Sequence, residues 1–249
     1  QMFEAEFRHK SESSDTVVEL ANLDNDDIYR KNRHAYFLRD TRTYKNTLVQ
    51  QDDSWEGTLI SSNINVGGIS DIAYFDDFGN TVSRVGRTHI TRDIILDRLD
   101  YNDFGYFKTS IAATDYQLAK ESLVEQYRVL PRLNFEYQSE KSDRSFNYNF
   151  TGEIADFDHT LPQKATGLRT VLYPSIEYPM SNPGWEINTK FGVRYSNYDL
   201  TANDSGITKT SISKTFPIFS VRGKMIYEKV STNNILQTLE PEMYFLYVP

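Results

Sequence analysis

The sequence predicts an all-β chain: a run of antiparallel strands of the kind that close a transmembrane barrel. Three observations predict it. Apolar and polar residues alternate with period two over long stretches. Aromatic residues reach 14%, built from 17 Tyr and 15 Phe against two Trp, and Tyr and Phe favour strands and bilayer interfaces. Mean hydropathy is only -0.57, with no apolar run near the roughly 20 residues a membrane helix needs. A barrel strand crosses in about 9–11 residues and shows lipid only every second side chain, so a barrel is polar on average.

The alternation is clearest from Tyr127 to Tyr137. There Tyr127, Val129, Leu133, Phe135 and Tyr137 oppose Arg128, Arg132, Asn134 and Glu136. After the polar turn SEKSD it resumes, with Phe146, Tyr148, Phe150 and Ile154 against Asn147, Asn149, Thr151 and Glu153, so a hairpin is expected. The turn SNPG at 181–184 joins a similar pair. Leu172, Ile176, Tyr178 and Met180 precede it, and Trp185, Ile187, Phe191, Val193 and Tyr195 follow. About twelve strands are expected: 2–9, 16–23, 34–44, 54–66, 86–99, 104–117, 126–139, 144–157, 167–180, 185–201, 210–230 and 236–248. Those at 16–23, 34–44 and 54–66 alternate poorly.

Short connections (10–15, 100–103, 140–143, 181–184, 231–235) alternate with longer ones (24–33, 67–85, 118–125, 158–166, 202–209), and 45–53 fits the short class loosely. This asymmetry is that of bacterial barrels, with turns in the periplasm and loops outside, and it puts 67–85 at the cell surface. A soluble sandwich or jelly roll also alternates, but its strands cluster near five or six residues. Pro131, Pro174 and Pro217 fall inside expected strands at one spacing. Each removes a ladder donor, so bulges or missing bonds are expected there.

The chemistry of catalysis has no foothold. His9, His34, His89 and His159 share no metal-ligand spacing, cysteine is absent, and no nucleophile elbow, phosphate loop or dinucleotide fingerprint occurs. Asp24, Asp26 and Asp27 lack the ligand spacing of a calcium loop. Asp76 with Asp77, and Glu240 with Glu242, read as solvated acids rather than a glycosidase pair. A net charge of -8 argues against nucleic acid as a partner. No enzyme activity and no cofactor are expected. The opening Gln1-Met2-Phe3 has no leader-like pattern, so any export signal is expected to have been removed or to lie outside this segment.

QTLEPEMYFLYVP (237–249), GKMIYEK (223–229), SDIAYFDDFGN (70–80), MFEAEFRH (2–9) and YPMSNPGWEIN (178–188), in this order and spacing, resemble the LptD family of outer-membrane lipopolysaccharide-assembly proteins, also called organic solvent tolerance proteins. The resemblance implies a 26-stranded barrel in the outer membrane of a Gram-negative bacterium. It further implies a periplasmic jelly-roll domain that receives lipopolysaccharide from a bridge, a plug lipoprotein, LptE, and a barrel-assembly machinery during folding. All of 1–249 would belong to the one barrel domain, supplying about twelve consecutive strands. The jelly roll, the gate strands and the family's cysteines would lie outside it.

The function so implied is barrel component of the translocon that delivers lipopolysaccharide to the outer leaflet, with no bond broken. The alternatives are a general porin or ligand-gated transporter barrel, or a soluble carbohydrate-binding β-domain. Two candidate sites follow. Arg128, Arg132, Lys190, Arg194, Arg222 and Lys224 are expected to face the lumen, where they meet lipid phosphates or acidic plug residues, or pair with lumen Glu or water. Tyr74, Phe75, Asp76, Asp77 and Phe78 are expected to fold back against the plug lipoprotein or neighbouring loops, because three aromatics within 74–78 suit free exposure poorly.

Overall fold

The computed structural model describes residues 2–24, 26, 30–51, 54–79, 82, 88–201, 206, 210–230 and 235–249. The first two residues of the expected strand 86–99, most of the expected connections 202–209 and 231–235, and Asp27 lie outside the described residues. In chain order the elements are β1 (Met2–Lys10), β2 (Ser14–Leu23), β3 (Arg33–Asn46), β4 (Val49–Gln51), β5 (Ser54–Ile69), α1 (Tyr74–Phe78), β6 (His89–Asn102), β7 (Gly105–Leu118) and β8 (Arg128–Ser139). They continue with β9 (Asn147–Asp158), β10 (Gly167–Asn182), β11 (Trp185–Leu200), β12 (Ser211–Met225), β13 (Tyr227–Val230), β14 (Leu236–Leu239) and β15 (Glu242–Tyr247). Strands β3 and β5 to β12 run 12–16 residues, long enough to cross a bilayer when tilted.

One antiparallel sheet of 13 strands follows the order β1-β2-β3-β5-β6-β7-β8-β9-β10-β11-β12-β15, with β4 paired to β5 and β13–β14 a separate hairpin. Directly opposed residues share a face, so register separates two surfaces. On one, Tyr148, Ile176, Phe191, Phe219 and Tyr247 form a single rung across five strands. Ile64 opposes Ile94, Leu96 opposes Ile111, and Ile111 opposes Leu133. Phe7, Ile94, Ile111, Tyr148 and Phe191 on this face are about half exposed, which suits contact with lipid and not with water. The other face carries Lys108 opposite Glu136, Asn134 opposite Glu153, and Glu177 opposite Lys190.

The expected single strand at 210–230 breaks at Ile226, whose N–H turns to the carbonyl of Gly184. Pro241 likewise splits 236–248: it cannot donate to a ladder, while its carbonyl accepts the Met225 N–H at 3.0 Å. The other prolines behave unequally. At Pro131 the register slips between Val129 and Arg132 against β9, and between Ala112 and Thr114 on β7. Tyr173 and Pro174 leave a gap in the pairing of β10 with β11. Pro217 sits in unbroken register opposite Val193, and the pairing of β12 with β15 starts two residues later, at Phe219.

The poor alternation of β2, β3 and β5 has a structural cause. Ala21, Ala35, Phe37 and Ile69 lie on the polar face, where they pack with Tyr74 and Phe75 of the folded-back 70–79 segment and with Val82. The apolar face of the same strands carries Asp40, close to the β1–β2 turn. Its carboxylate accepts from the Thr16 hydroxyl and from Arg42 Nε at 2.8 Å. Each face here mixes both residue types, and the period blurs.

Among the described residues, β1 and β15 each leave one edge unpaired. An open edge costs several kcal/mol for each unsatisfied backbone group in hydrocarbon. The 249-residue chain alone is therefore expected not to close into a monomeric barrel in detergent. A compact, heat-modifiable monomer on gel electrophoresis would overturn this.

Candidate functional site

The 67–85 connection is not wholly loop: β5 extends to Ile69, and residues 74–78 form one helical turn. Asp77 N–H donates to the Ala73 carbonyl and Gly79 N–H to Phe75 O at 3.0 Å. Gly79 ends the turn at φ +66°, the left-handed region in which a side chain is strained. This turn drives Tyr74 and Phe75 inward, to 0% and 6% exposure. The rings pack edge to face at 5.7 Å. Asp76 and Asp77 stay exposed, and Phe78 is half-buried.

What holds the turn down is Arg33, at the start of β3 and 1% exposed. Its Nη2 donates to Asp71 at 2.7 Å, Nε to the other Asp71 oxygen at 2.9 Å, and Nη1 to Asp77 at 2.7 Å and Asp26 at 3.3 Å. The guanidinium also stands 4.5 Å from the Phe78 ring centroid and 5.7 Å from that of Tyr74, within cation–π range. Burial pushes the Asp71 carboxyl up, but the Arg33 and Ser70 hydrogen bonds overcome it and hold the group below the usual carboxylate value. Sequence patterns missed Arg33. The basic cluster Arg30, Lys31 and Arg33 beside the acids at 24–27 was the available signal, but only the fold brings Arg33 to the acids at 71–77.

The five residues of the loop candidate therefore divide. Tyr74 and Phe75 are occupied against this chain's own strands, while Asp76, Asp77 and Phe78 remain at the surface. Of the six basic candidates, Arg132, Lys190, Arg194, Arg222 and Lys224 lie on the polar face, but Arg128 does not: after the register slip at Pro131 it opposes Asp158, on the side of β9 that carries Tyr148 and Ile154. The six divide by partner as well. Arg128 reaches Asp158 at 2.5 Å and Arg222 forms a two-pronged pair with Glu242 at 2.7 and 2.9 Å. Lys224 meets Glu240 at 2.5 Å, and Arg132 lies 4.0 Å from Glu153, which Arg169 also engages. Half-exposed pairs of this kind contribute about 0–1 kcal/mol. Among the described residues, Lys190 and Arg194 have no carboxylate in ion-pair reach. Lys190 sits 5.7 Å from the Tyr173 ring centroid. Arg194, with Lys108 and Arg169, borders a concavity of about 560 Å³. No group of His, Asp or Glu among the described residues is arranged to hold a metal ion.

A surface with exposed lipid-suited rings on one side and a polar wall on the other is what the membrane-barrel expectation requires. Comparison with known proteins narrows it. The sequence profile described as LptD, LPS transport system D, matches residues 31–249. The chain belongs to the LptD family. A relative named LPS-assembly protein LptD from Azoarcus sp. (strain BH72) is 31% identical over 195 residues, 75% of this chain and 24% of the relative. Those of the same name from Nitrosospira multiformis and Escherichia coli (strain K12) are 29% and 27% identical, covering 84% and 100% of this chain. The chain spans 23–32% of the length of these LptD relatives.

Proposed function

We propose that this chain forms part of the wall of an outer-membrane barrel that delivers lipopolysaccharide to the outer leaflet. The apolar face would contact acyl chains and the polar face would bound the lumen. The observation that carries the reading is the two-faced sheet of 12–16-residue strands in a chain of this family. No bond is made or broken: Lys190 and Arg194 offer unpaired charge to passing phosphates, and the ion-paired residues keep the wall hydrated. Depleting the full-length protein in its host should leave lipopolysaccharide inside the cell envelope, measured by surface labelling. Unchanged surface delivery would reject the reading.

The turn at 74–78 supports a plug-side contact. In this reading Tyr74 and Phe75 anchor it to β2, β3 and β5, and Asp76, Asp77 and Phe78 present its outer edge to the plug lipoprotein. Deleting 74–80 in the full-length protein is expected to weaken co-purification of the plug and to make the outer membrane leaky to large antibiotics. Wild-type co-purification with an intact barrier would remove this contact.

A further inference from the structure

On the polar face, next to the tight β6–β7 turn, three aromatic rings from adjacent strands form a ladder that the transport reading leaves unused. The Trp55 and Tyr101 ring centroids lie 6.3 Å apart, and those of Tyr101 and Tyr106 5.6 Å apart. Tyr101 directly opposes Tyr106, which opposes Gln138. The Tyr106 hydroxyl donates to Glu136, which fixes that ring. The rings border a hollow of about 380 Å³ that Asn102 and Gln138 also line.

Two ordinary roles do not account for this ladder. Aromatic side chains at the end of a barrel strand usually anchor in the headgroup region, but register places these rings with Glu136 and Gln138, while Phe107, next in sequence to Tyr106, points to the lipid-suited face. Nor are the rings core, since Trp55 is 46% exposed. An open aromatic shelf flanked by amides and acids suits a ligand with a C–H face to stack and hydroxyls to pair. Local charge selects among such ligands. Glu56, Asp103 and Glu140 outnumber Lys141 around the hollow, so a phosphate is repelled and a neutral, hydroxyl-rich ring is accepted.

We propose that Trp55, Tyr101 and Tyr106 form a saccharide-stacking site that takes unphosphorylated sugar units. The site rests on the reading of the polar face as a lumen wall, and it assigns the sugar portion of the cargo to these rings and the phosphates elsewhere. The test uses the full-length protein with its plug partner in detergent. The probe is core oligosaccharide cut from lipopolysaccharide by mild acid and dephosphorylated, and binding is followed calorimetrically. Trp55→Ala or Tyr101→Ala is expected to weaken binding about tenfold, whereas Trp55→Phe, Tyr101→Phe and, on the opposite face, Phe107→Ala should stay within about threefold. Heat-modifiability verifies that each variant is folded. No binding by the wild type, equal affinity in the folded Trp55→Ala variant, or displacement of the oligosaccharide by inorganic phosphate would overturn the proposal. Surface delivery of lipopolysaccharide, measured in the same strains, separates the two readings: intact delivery dependent on the protein, without oligosaccharide binding, removes the stacking site and leaves transport standing.

Discussion

Replacing Phe135 or Val193 by Arg in the full-length protein is expected to abolish assembly of the barrel, while Asn134→Arg, one residue away, is expected to be mild. Phe135 lies on the lipid-suited face opposite Gly152, stacked 5.2 Å from Phe150. Its ring occupies the space a Gly152 side chain would need, so it also covers bare backbone. An Arg facing lipid near the bilayer midplane costs about 2–4 kcal/mol, and the lost ring contact adds about 0.5–1.5 kcal/mol. Asn134 opposes Glu153 on the polar face, where an added Arg meets a carboxylate. The measurement is the heat-modifiable fraction in isolated outer membranes. Equal tolerance at 134 and 135 would reject the assignment of faces.

Arg33→Met is expected to free the 70–79 segment from the sheet. Removing the cation takes away the guanidinium that Asp26 and Asp71 both engage, and breaking a buried pair from one side costs about 3–5 kcal/mol. Arg33→Lys should restore little of it, because a single ammonium cannot serve two Asp71 oxygens, Asp77 and two rings at once. Hydrogen exchange at 70–79 reads the effect directly, and unchanged protection in Arg33→Met would refute it. The same contact predicts a pH dependence. The Asp71 carboxyl is depressed in the folded chain, so its contribution is complete above the ordinary carboxylate value of about 4 and is lost as pH falls through the lower folded value. Acidification below about pH 4 should therefore loosen the wild-type segment, whereas in Arg33→Met protonation removes the uncompensated charge and should restore part of the lost protection.

The strands from β6 to β12 were legible because each is wet on one face and apolar on the other, so period two survives in the sequence. Where a folded-back segment covers the polar face, as at Ala35 and Phe37, the pattern is overwritten by a local core. The split at Pro241 was readable in principle, since a proline without a donor ends a ladder. The node at Arg33 was not, because its partners at 26, 71 and 77 come from three separate segments whose meeting depends on the register of β2, β3 and β5. The aromatic ladder needed register too. Trp55, Tyr101 and Tyr106 are unremarkable in sequence, and become a site only when their strands are placed side by side.

Along the main path of the sheet, each strand between β1 and β15 pairs with the path strands that precede and follow it in the chain, and that order has a kinetic consequence. Each pairing closes a local connection, from a tight turn up to the stretch between Ile69 and His89, and because closure cost grows only logarithmically with length it differs little from one hairpin to the next. Insertion can then advance as a zipper, with every completed strand offering its rim as the template for the following one. In a full-length barrel, the contact that joins sequence-distant rims would carry the largest loop-closure cost and is the expected slow step. A variant that weakens an interior hairpin should therefore stall the zipper at that point, whereas one that weakens a rim should let the wall form and delay only its sealing.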